Sequence, residues 1–354
     1  MSGMLIRTAL RRSQAQIRHV SAVRPGAAQD LVAAVYAQAE RDFGMLAPPV
    51  SLHSPAPGPL AACWLMLRET LLAAGVATRT AKETVAAAVS LGNACPYCVE
   101  VHSATLHGLA RGHDALAIAA GRIESVNDPA GRDLAAWARA SGTQEAAARH
   151  PAPFPAGHAP ELTGVAVTFH YLNRMVNVFL RDSPLPPSVP AAARGGVLHV
   201  LGRLMGHAAR NHPAPGASLH LLPDAPLPPD LSWAAASPSI AAAFARGAAA
   251  IETAASQSVP QPVRDLLSTT LASWNGQSPG LGRSWAEDPV SALPAASRPA
   301  GRLALLTALA SYQVTQSDID EFRLAQPRDR ALIELTAWAS LAAARRISTW
   351  IPTT

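Results

Sequence analysis

The residues able to do chemistry are concentrated in one short stretch of this 354-residue chain, from Glu83 to His107. Cys95 and Cys98 form a C-x-x-C pair there, and His102 follows four residues after the second cysteine. In a helix these three side chains share one face, because residues three and four positions apart are neighbours. A histidine beside a thiol can take its proton and then hold the thiolate as an ion pair. The segment therefore indicates redox or metal chemistry.

The elements around the pair are predicted to be two helices joined by the short Gly92-Asn93 turn. Pro96 suits the first turn of the second helix, so both sulfurs are expected at a helix N-terminus, where the dipole favours a thiolate. Thr80 is expected to cap the first helix in a capping box with Glu83. Glu83 then approaches the cysteines across the antiparallel pair, close to Cys95.

Alternatives to redox chemistry start from the same residues. The pair could be a structural accident, with His102 an ordinary core or surface histidine. Zinc has potential ligands in Cys95, Cys98, His102 and His107, but structural zinc sites usually draw ligand pairs from two separated segments. Covalent haem attachment needs a histidine directly after the second cysteine, where Val99 stands. We therefore expect neither a metal nor a cofactor.

Composition favours an all-α, cytoplasmic protein. Apolar residues make up 49% of the chain, aromatic residues only 5%, and helix-forming stretches rich in alanine and leucine recur between clusters of the 31 prolines. The net charge is +5, and the sequence contains no dense cluster of basic residues. Nucleic acid is therefore not an expected partner. No apolar run reaches the 18 residues needed to span a membrane. Three cysteines are too few for a secreted disulfide scaffold and indicate a reducing compartment.

Proline-rich stretches divide the chain into predicted units. Residues 1–26 form a basic N-terminal arm, with an organelle transit peptide as the alternative interpretation. Residues 27–149 form the unit with the cysteine pair, 150–160 a proline-rich joint, and 161–354 a second helical unit. A loop is predicted at 51–59.

A weak internal repeat relates the two units. At a shift of 182 residues, Glu83 falls on Asp265 and Asn93 on Asn275. The two cysteines and the histidine then fall on Gln277, Gly280 and Ser284. The second unit is accordingly predicted to be a diverged copy without redox groups.

The motif residues resemble the alkylhydroperoxidase D and carboxymuconolactone decarboxylase family. That family has a glutamate, a cysteine twelve residues later, then x-x-Cys and x-x-x-His, which matches Glu83, Cys95, Cys98 and His102. The close resemblance covers about residues 50–142 and implies a helical bundle that forms homo-oligomers. The decarboxylases that share the family name lack the cysteine pair, so the resemblance does not favour lactone decarboxylation.

The resemblance implies a thiol-dependent peroxidase. His102 would help to deprotonate Cys98, which attacks a hydroperoxide and becomes a sulfenic acid. Cys95, assisted by Glu83, would then form the disulfide, which an external lipoyl- or thioredoxin-like dithiol reduces. One departure is Tyr97, where some peroxidases of the family have a histidine. The alternative function is a non-catalytic helical oligomer with a redox-sensing or relic cysteine pair.

Three further residues are candidates for the site. Tyr97 could shape the mouth of a pocket. His170 and Asn173 are polar residues in the apolar helix predicted at 162–180, where they form either a polar helix edge or a pocket wall over the cysteines. Cys63, in contrast, is expected to be a buried small hydrophobic residue.

Overall fold

The regular structure of this chain is helical. The computed structural model describes residues 14–352, apart from 110, 111, 186–188 and 190, and no strand occurs among them. This confirms the predicted all-α class. Residues 1–13 of the predicted basic arm lie outside the described part. No helix within the described residues combines the length and the apolar character needed to cross a membrane.

The helices have the following bounds. Before the proline-rich joint come α1 (Asp30–Asp42), α2 (Pro48–Ser51), α3 (Pro57–Leu67), α4 (Arg79–Gly92), α5 (Pro96–Gly108), α6 (Gly112–Ala119), α7 (Pro129–Ala140) and α8 (Gln144–Arg149). After it come α9 (Ala159–Phe179), α10 (Ala191–Ala208), α11 (Pro238–Ser258), α12 (Gln261–Ser273), α13 (Ser284–Ser291), α14 (Arg298–Ala310), α15 (Gln316–Ala325) and α16 (Asp329–Ser348). Helix α3 continues directly into a π-helical turn, Arg68–Leu72.

Helix α9 is the most buried long element of the described fold. Every residue in it except Asn177 is buried, including the polar side chains of His170 and Asn173. It packs against both α4 and α16. Side chains from both sides of the 150–160 joint contribute to one hydrophobic cluster. The division into two units stays a prediction.

The helix that follows the cysteine pair, α5, is packed between α4 and α10. Its contact with α10 brings two backbones together at glycines, because a Cβ on Gly108 would collide with the carbonyl of Gly202. Thr105 also meets the sulfur of Met205 in α10, with 3.7 Å between Oγ1 and Sδ. Neighbours on two sides hold the site helix in place.

Two local predictions are wrong. The loop predicted at 51–59 is shorter, because α2 ends at Ser51 and α3 begins at Pro57. Both helices begin with a proline, which is tolerated in the first turn because the N–H of that residue has no partner within the helix. The cap of α4 is Thr78, whose Oγ1 accepts the N–H of Ala81 at 3.2 Å. Thr80 lies inside the helix, so it forms no capping box with Glu83.

At a shift of 182 residues the repeat fits α4, which falls on α12 (Gln261–Ser273), but it does not fit the start of α5. Gln277 and Gly280 lie in an irregular segment, so this shift aligns the start of α5 with a loop. Helices α14 and α15 match the layout of α4 and α5 better. A side-chain pair 19 residues apart joins each of these helix pairs: Glu83 to His102 and Arg302 to Glu321. At this shift of 219 residues, the positions of the two cysteines hold Val314 and Ser317.

Candidate active site

The cysteine pair lies at the turn between α4 and α5. Asn93 is the C-cap residue of α4, and Ala94 adopts φ +49°, a left-handed conformation uncommon for alanine. The N–H of Cys95 donates to the carbonyl of Ser90 at 2.9 Å and closes the turn. Cys95 is the N-cap residue of α5, and Pro96 is its first residue. Both cysteines therefore lie at a helix N-terminus.

Both thiols of the pair are free and almost completely buried, with 1% of Cys95 and 4% of Cys98 exposed. Burial raises the pKa of Cys95 well above its usual value, and the adjacent Cys98 thiol raises it further. The backbone N–H of Cys98 and the side-chain amide of Asn173 act in the opposite direction, but more weakly. Cys95 therefore remains a protonated thiol at neutral pH.

The third cysteine, Cys63, stands apart on α3. It is completely buried, and burial raises the pKa of its thiol. Its sulfur lies 4.0 Å from the carbonyl oxygen of Pro49. Cys63 is thus part of the core, as expected for a small hydrophobic residue.

A glutamate–histidine pair joins the two helices of the site. Nδ1 of His102 lies 2.6 Å from Oε2 of Glu83, and Nε of Arg79 donates to Oε1 at 2.8 Å. Burial raises the pKa of Glu83, but Arg79 and His102 together outweigh it and hold that pKa below its usual value. An ionised Glu83 accepts the Nδ1–H of His102. Nε2 is then the nitrogen that can take a proton.

The hydrogen-bond partners of Glu83 are His102 and Arg79, while its predicted assistance to Cys95 stays a prediction. Both of its carboxylate oxygens are engaged, one by Arg79 and the other by His102. The carboxylate can therefore influence the thiols through the imidazole. His102 lies one turn after Cys98 on α5, and the ring of Phe169 packs edge-on against it at 4.6 Å between centroids.

Asn173 of α9 reaches the cysteine turn. Its Nδ2 donates to Oγ of Ser90 at 3.0 Å, and its Oδ1 accepts from Nδ2 of Asn93 at 2.9 Å. Ser90 also accepts the N–H of Cys95, so Asn173 and Cys95 meet at the same residue. From this position the amide acts on the Cys95 thiol. The structure thus brings one of the two candidates on α9 to the pair.

His170, the other candidate on α9, contacts Asn93, which in turn binds Asn173. Its Nδ1 lies 3.1 Å from Nδ2 of Asn93, and its Nε2 lies 2.8 Å from Oγ of Ser141. Burial and the nearby Arg174 guanidinium lower the pKa of His170 well below its usual value, so the ring is neutral. His170 therefore fixes Asn93, and through it Asn173.

Tyr97, between the two cysteines, is a buried side chain with 5% exposed. Burial raises the pKa of its phenol, and the neighbouring cysteines raise it further. It is therefore neutral at physiological pH. Pro96, directly before it, is exposed, and a role of Tyr97 at the mouth of a pocket stays a prediction.

His107, one of the four residues considered as zinc ligands, lies too far along α5 from the cysteines. His107 is nine residues after Cys98, which corresponds to roughly 14 Å along a helix axis. Ligands of one zinc ion lie only ~2.0–2.3 Å from the metal. Within the described residues there is no group of three or more His, Cys, Asp or Glu side chains placed to hold a metal ion.

Sequence reasoning missed three residues of the site: Arg79, Ser90 and Asn93. Arg79 could have been predicted, because it stands four residues before Glu83 in a predicted helix, and this is the spacing of a helical ion pair. Ser90 and Asn93 left no comparable signal, since their partner comes from α9.

The fold and the site together define an all-α protein with a buried dithiol at a helix N-terminus, next to a glutamate–histidine pair. The chain is 39% identical over 338 residues to the alkyl hydroperoxide reductase Rv2159c of Mycobacterium tuberculosis (strain ATCC 25618 / H37Rv), a match that covers 95% of each protein. It belongs to the family of that reductase. No protein-family model matches the chain, and no solved structure matches it.

Proposed function

We propose that this protein is a thiol-dependent peroxidase of the alkylhydroperoxidase D type, which reduces hydroperoxides with Cys98 and Cys95. One observation carries the proposal. Cys98 lies one turn before His102, whose Nδ1 is held at 2.6 Å by a carboxylate that stays ionised. This arrangement provides a base for the thiol in a nearly buried site. The similarity to a protein named alkyl hydroperoxide reductase supports the same chemistry.

The first step consumes the peroxide. Nε2 of His102 takes the proton of Cys98, and the thiolate attacks one oxygen of the O–O bond. That bond breaks, the sulfur becomes a sulfenic acid, and the leaving alkoxide takes a proton from His102 to give an alcohol. Sulfur is oxidised by two electrons and the peroxide is reduced by two. Glu83 holds the imidazole in the tautomer that this step needs and stabilises the imidazolium that forms.

The second step forms the disulfide. Cys95 attacks the sulfenic acid of Cys98, an S–S bond forms, and the hydroxyl leaves as water with the proton of Cys95. The raised pKa of Cys95 keeps it protonated until then. As the proton leaves, the Asn173 amide can donate to the developing thiolate. Charge-assisted hydrogen bonds of this kind are roughly twice as strong as neutral ones.

The third step needs an external dithiol of the lipoyl or thioredoxin type. Its thiolate attacks the Cys95–Cys98 disulfide, a mixed disulfide forms, and its second thiol displaces the protein. The balance is one hydroperoxide and one dithiol to one alcohol, one water and one oxidised reductant. Gly92, Ala94 and Pro96, in the turn that carries the buried pair, are exposed. We propose this turn as the place where the reductant enters.

Tyr97 is not expected to accept the proton of Cys98. A neutral phenol with a raised pKa cannot act as a base at neutral pH. In this protein the proton of Cys98 therefore goes to His102. We further propose that the protein works as a homo-oligomer in the reducing cytoplasm, where dithiol reductants are maintained.

Steady-state peroxide consumption with a panel of dithiols tests this function. A peroxidase consumes many equivalents of hydroperoxide per chain, and both Cys98→Ser and Cys95→Ser stop turnover. Cys63→Ser is the matched control and retains turnover, since this thiol lies in the core. A redox sensor or a relic pair would instead consume a single equivalent, whatever dithiol is supplied.

A further inference from the structure

Arg79 is a buried cation beside the carboxylate of the site. It stands on α4 one turn before Glu83, and its side chain is 8% exposed against 1% for Glu83. Two of its nitrogens bind the same carboxylate oxygen, Oε1: Nε at 2.8 Å and Nη2 at 2.7 Å. The other oxygen, Oε2, remains available for His102. The guanidinium thus occupies one side of the carboxylate and the imidazole the other.

Without a cation, Glu83 would be the wrong partner for His102. Burial by itself raises the pKa of this carboxyl, and the charge of Arg79 is the largest single cause that lowers it. A protonated Glu83 would donate its own proton to Nδ1 of His102. The imidazole would then carry its hydrogen on Nε2 and could no longer take the proton of Cys98 from that side.

We propose that Arg79 is a positioning residue of the redox site, which keeps Glu83 ionised and so fixes the tautomer of His102. The inference rests on the proposed function for its link to peroxide turnover. The state of His102 can, however, be followed through the reactivity of Cys98 alone.

The other ionisable side chains near Glu83 are engaged elsewhere. Lys82, the next cation on α4, pairs with Glu161 of α9 at 2.8 Å and donates to the carbonyl of Ala73. Glu69 of the π-helical turn pairs with Arg68. From α5 the facing group is His102. On α7, which also packs against α4, the charged side chains are half-buried or exposed: Arg132, Asp133 and Arg139.

The test is the pH dependence of Cys98 alkylation by iodoacetamide, in a background where Cys95→Ser and Cys63→Ser leave one thiol. In Arg79→Met the pKa of Glu83 rises, so the fast reaction of Cys98 begins at higher pH. Opposite charges at this distance typically shift a pKa by about 1–3 units, and we expect the acid limb to move upward by that order. Arg79→Lys, which keeps the charge, should restore most of the wild-type profile.

Two comparisons make the result specific. In a Glu83→Gln background, Arg79→Met should cause no further shift, because the group it acts through is gone. The double variant Lys82→Met/Glu161→Gln removes the neighbouring buried ion pair and should leave the profile in place. If Arg79→Met does not fold, Arg79→Gln provides the same comparison.

The inference is overturned if the charge-free Arg79 variants alkylate with the wild-type pH profile, or if the Lys82/Glu161 variant shifts it equally. A shift of equal size in the Glu83→Gln background also overturns it. The proposed function fails separately, if the wild-type protein shows the alkylation behaviour expected here but does not turn over peroxide with any dithiol.

Discussion

Nδ1 of His102 lies 2.6 Å from Oε2 of Glu83, and the two side chains are 9% and 1% exposed. This contact connects α5, which starts at the cysteine pair, to α4, which carries the charge. A buried carboxylate fixes the tautomer of an imidazole more strongly than a solvated one, because the local dielectric is low. We therefore expect the reactivity of Cys98 to depend on this pair.

Cys95 and Cys98 should form the single disulfide of the protein. Treatment with peroxide in the absence of a reductant is expected to bridge these two cysteines, because they are neighbours at the start of one helix. Cys63 should remain a thiol that reacts with iodoacetamide only after denaturation, since it is completely buried on another helix. Peptide mapping by mass spectrometry checks this. A bridge that includes Cys63 would disprove the assignment.

Asn173 should accelerate disulfide formation. Loss of a hydrogen bond to a charged group costs about 1.5–3 kcal/mol, and 1.4 kcal/mol corresponds to about tenfold in rate. In Asn173→Ala the sulfenic acid on Cys98 should therefore persist about tenfold longer in single-turnover experiments. Asn177→Ala is the matched control on the same helix, because its amide binds Asn93 O and Ser311 Oγ. Equal lifetimes in the two variants would mean that Asn173 has no direct effect.

Arg302 and Glu321, the pair in the second half that corresponds to Glu83 and His102, should not be needed for peroxide turnover. Arg302 and Glu321 form a partly exposed ion pair, of the kind that contributes about 0–1 kcal/mol. Arg302→Ala/Glu321→Ala should keep peroxide consumption within a few-fold of wild type. Glu83→Gln/His102→Ala is the matched comparison and should lose about 10²-fold or more, the usual contribution of a general base. Comparable losses in both would show that the second half takes part in the reaction.

Stability should fall in mild acid because of His53. Burial lowers the pKa of this histidine to about 4, against about 6.5 for a free side chain. Between these values the unfolded chain binds a proton that the folded chain does not, so the free energy of unfolding decreases as pH falls. The expected loss from pH 6.5 to 4 is about 3 kcal/mol. Urea unfolding across this range, compared with a flatter profile in His53→Phe, measures it. An unchanged slope in the variant would contradict the assignment.

The sequence predicted the local part of the site correctly. The spacing of Cys95, Cys98 and His102 placed all three at the start of one helix, and Pro96 marked its first turn. Such features depend on neighbours three and four residues away, which a sequence displays directly. The sequence predicted Thr80 as the N-cap of α4, whereas the N-cap is Thr78. Both are threonines with the same side-chain hydroxyl, so the residue type does not distinguish them.

The tertiary part of the site could not be predicted in the same way. Asn93 and Asn173 meet across 80 residues of chain, and that contact depends on how α9 packs against α4. Glu83 could have approached either Cys95 or His102 from α4. The choice is made by the rotation of two packed helices about their axes, which the sequence alone does not fix.

The most direct test of the account is to locate the sulfenic acid in Cys95→Ser after one equivalent of hydroperoxide. Trapping with dimedone followed by mass spectrometry should find the adduct on Cys98, while Cys98→Ser should give no adduct on Cys95. This is expected because His102 stands one turn from Cys98, whereas burial keeps Cys95 protonated. An adduct on Cys95 in Cys98→Ser, or none on Cys98 in Cys95→Ser, would contradict the account.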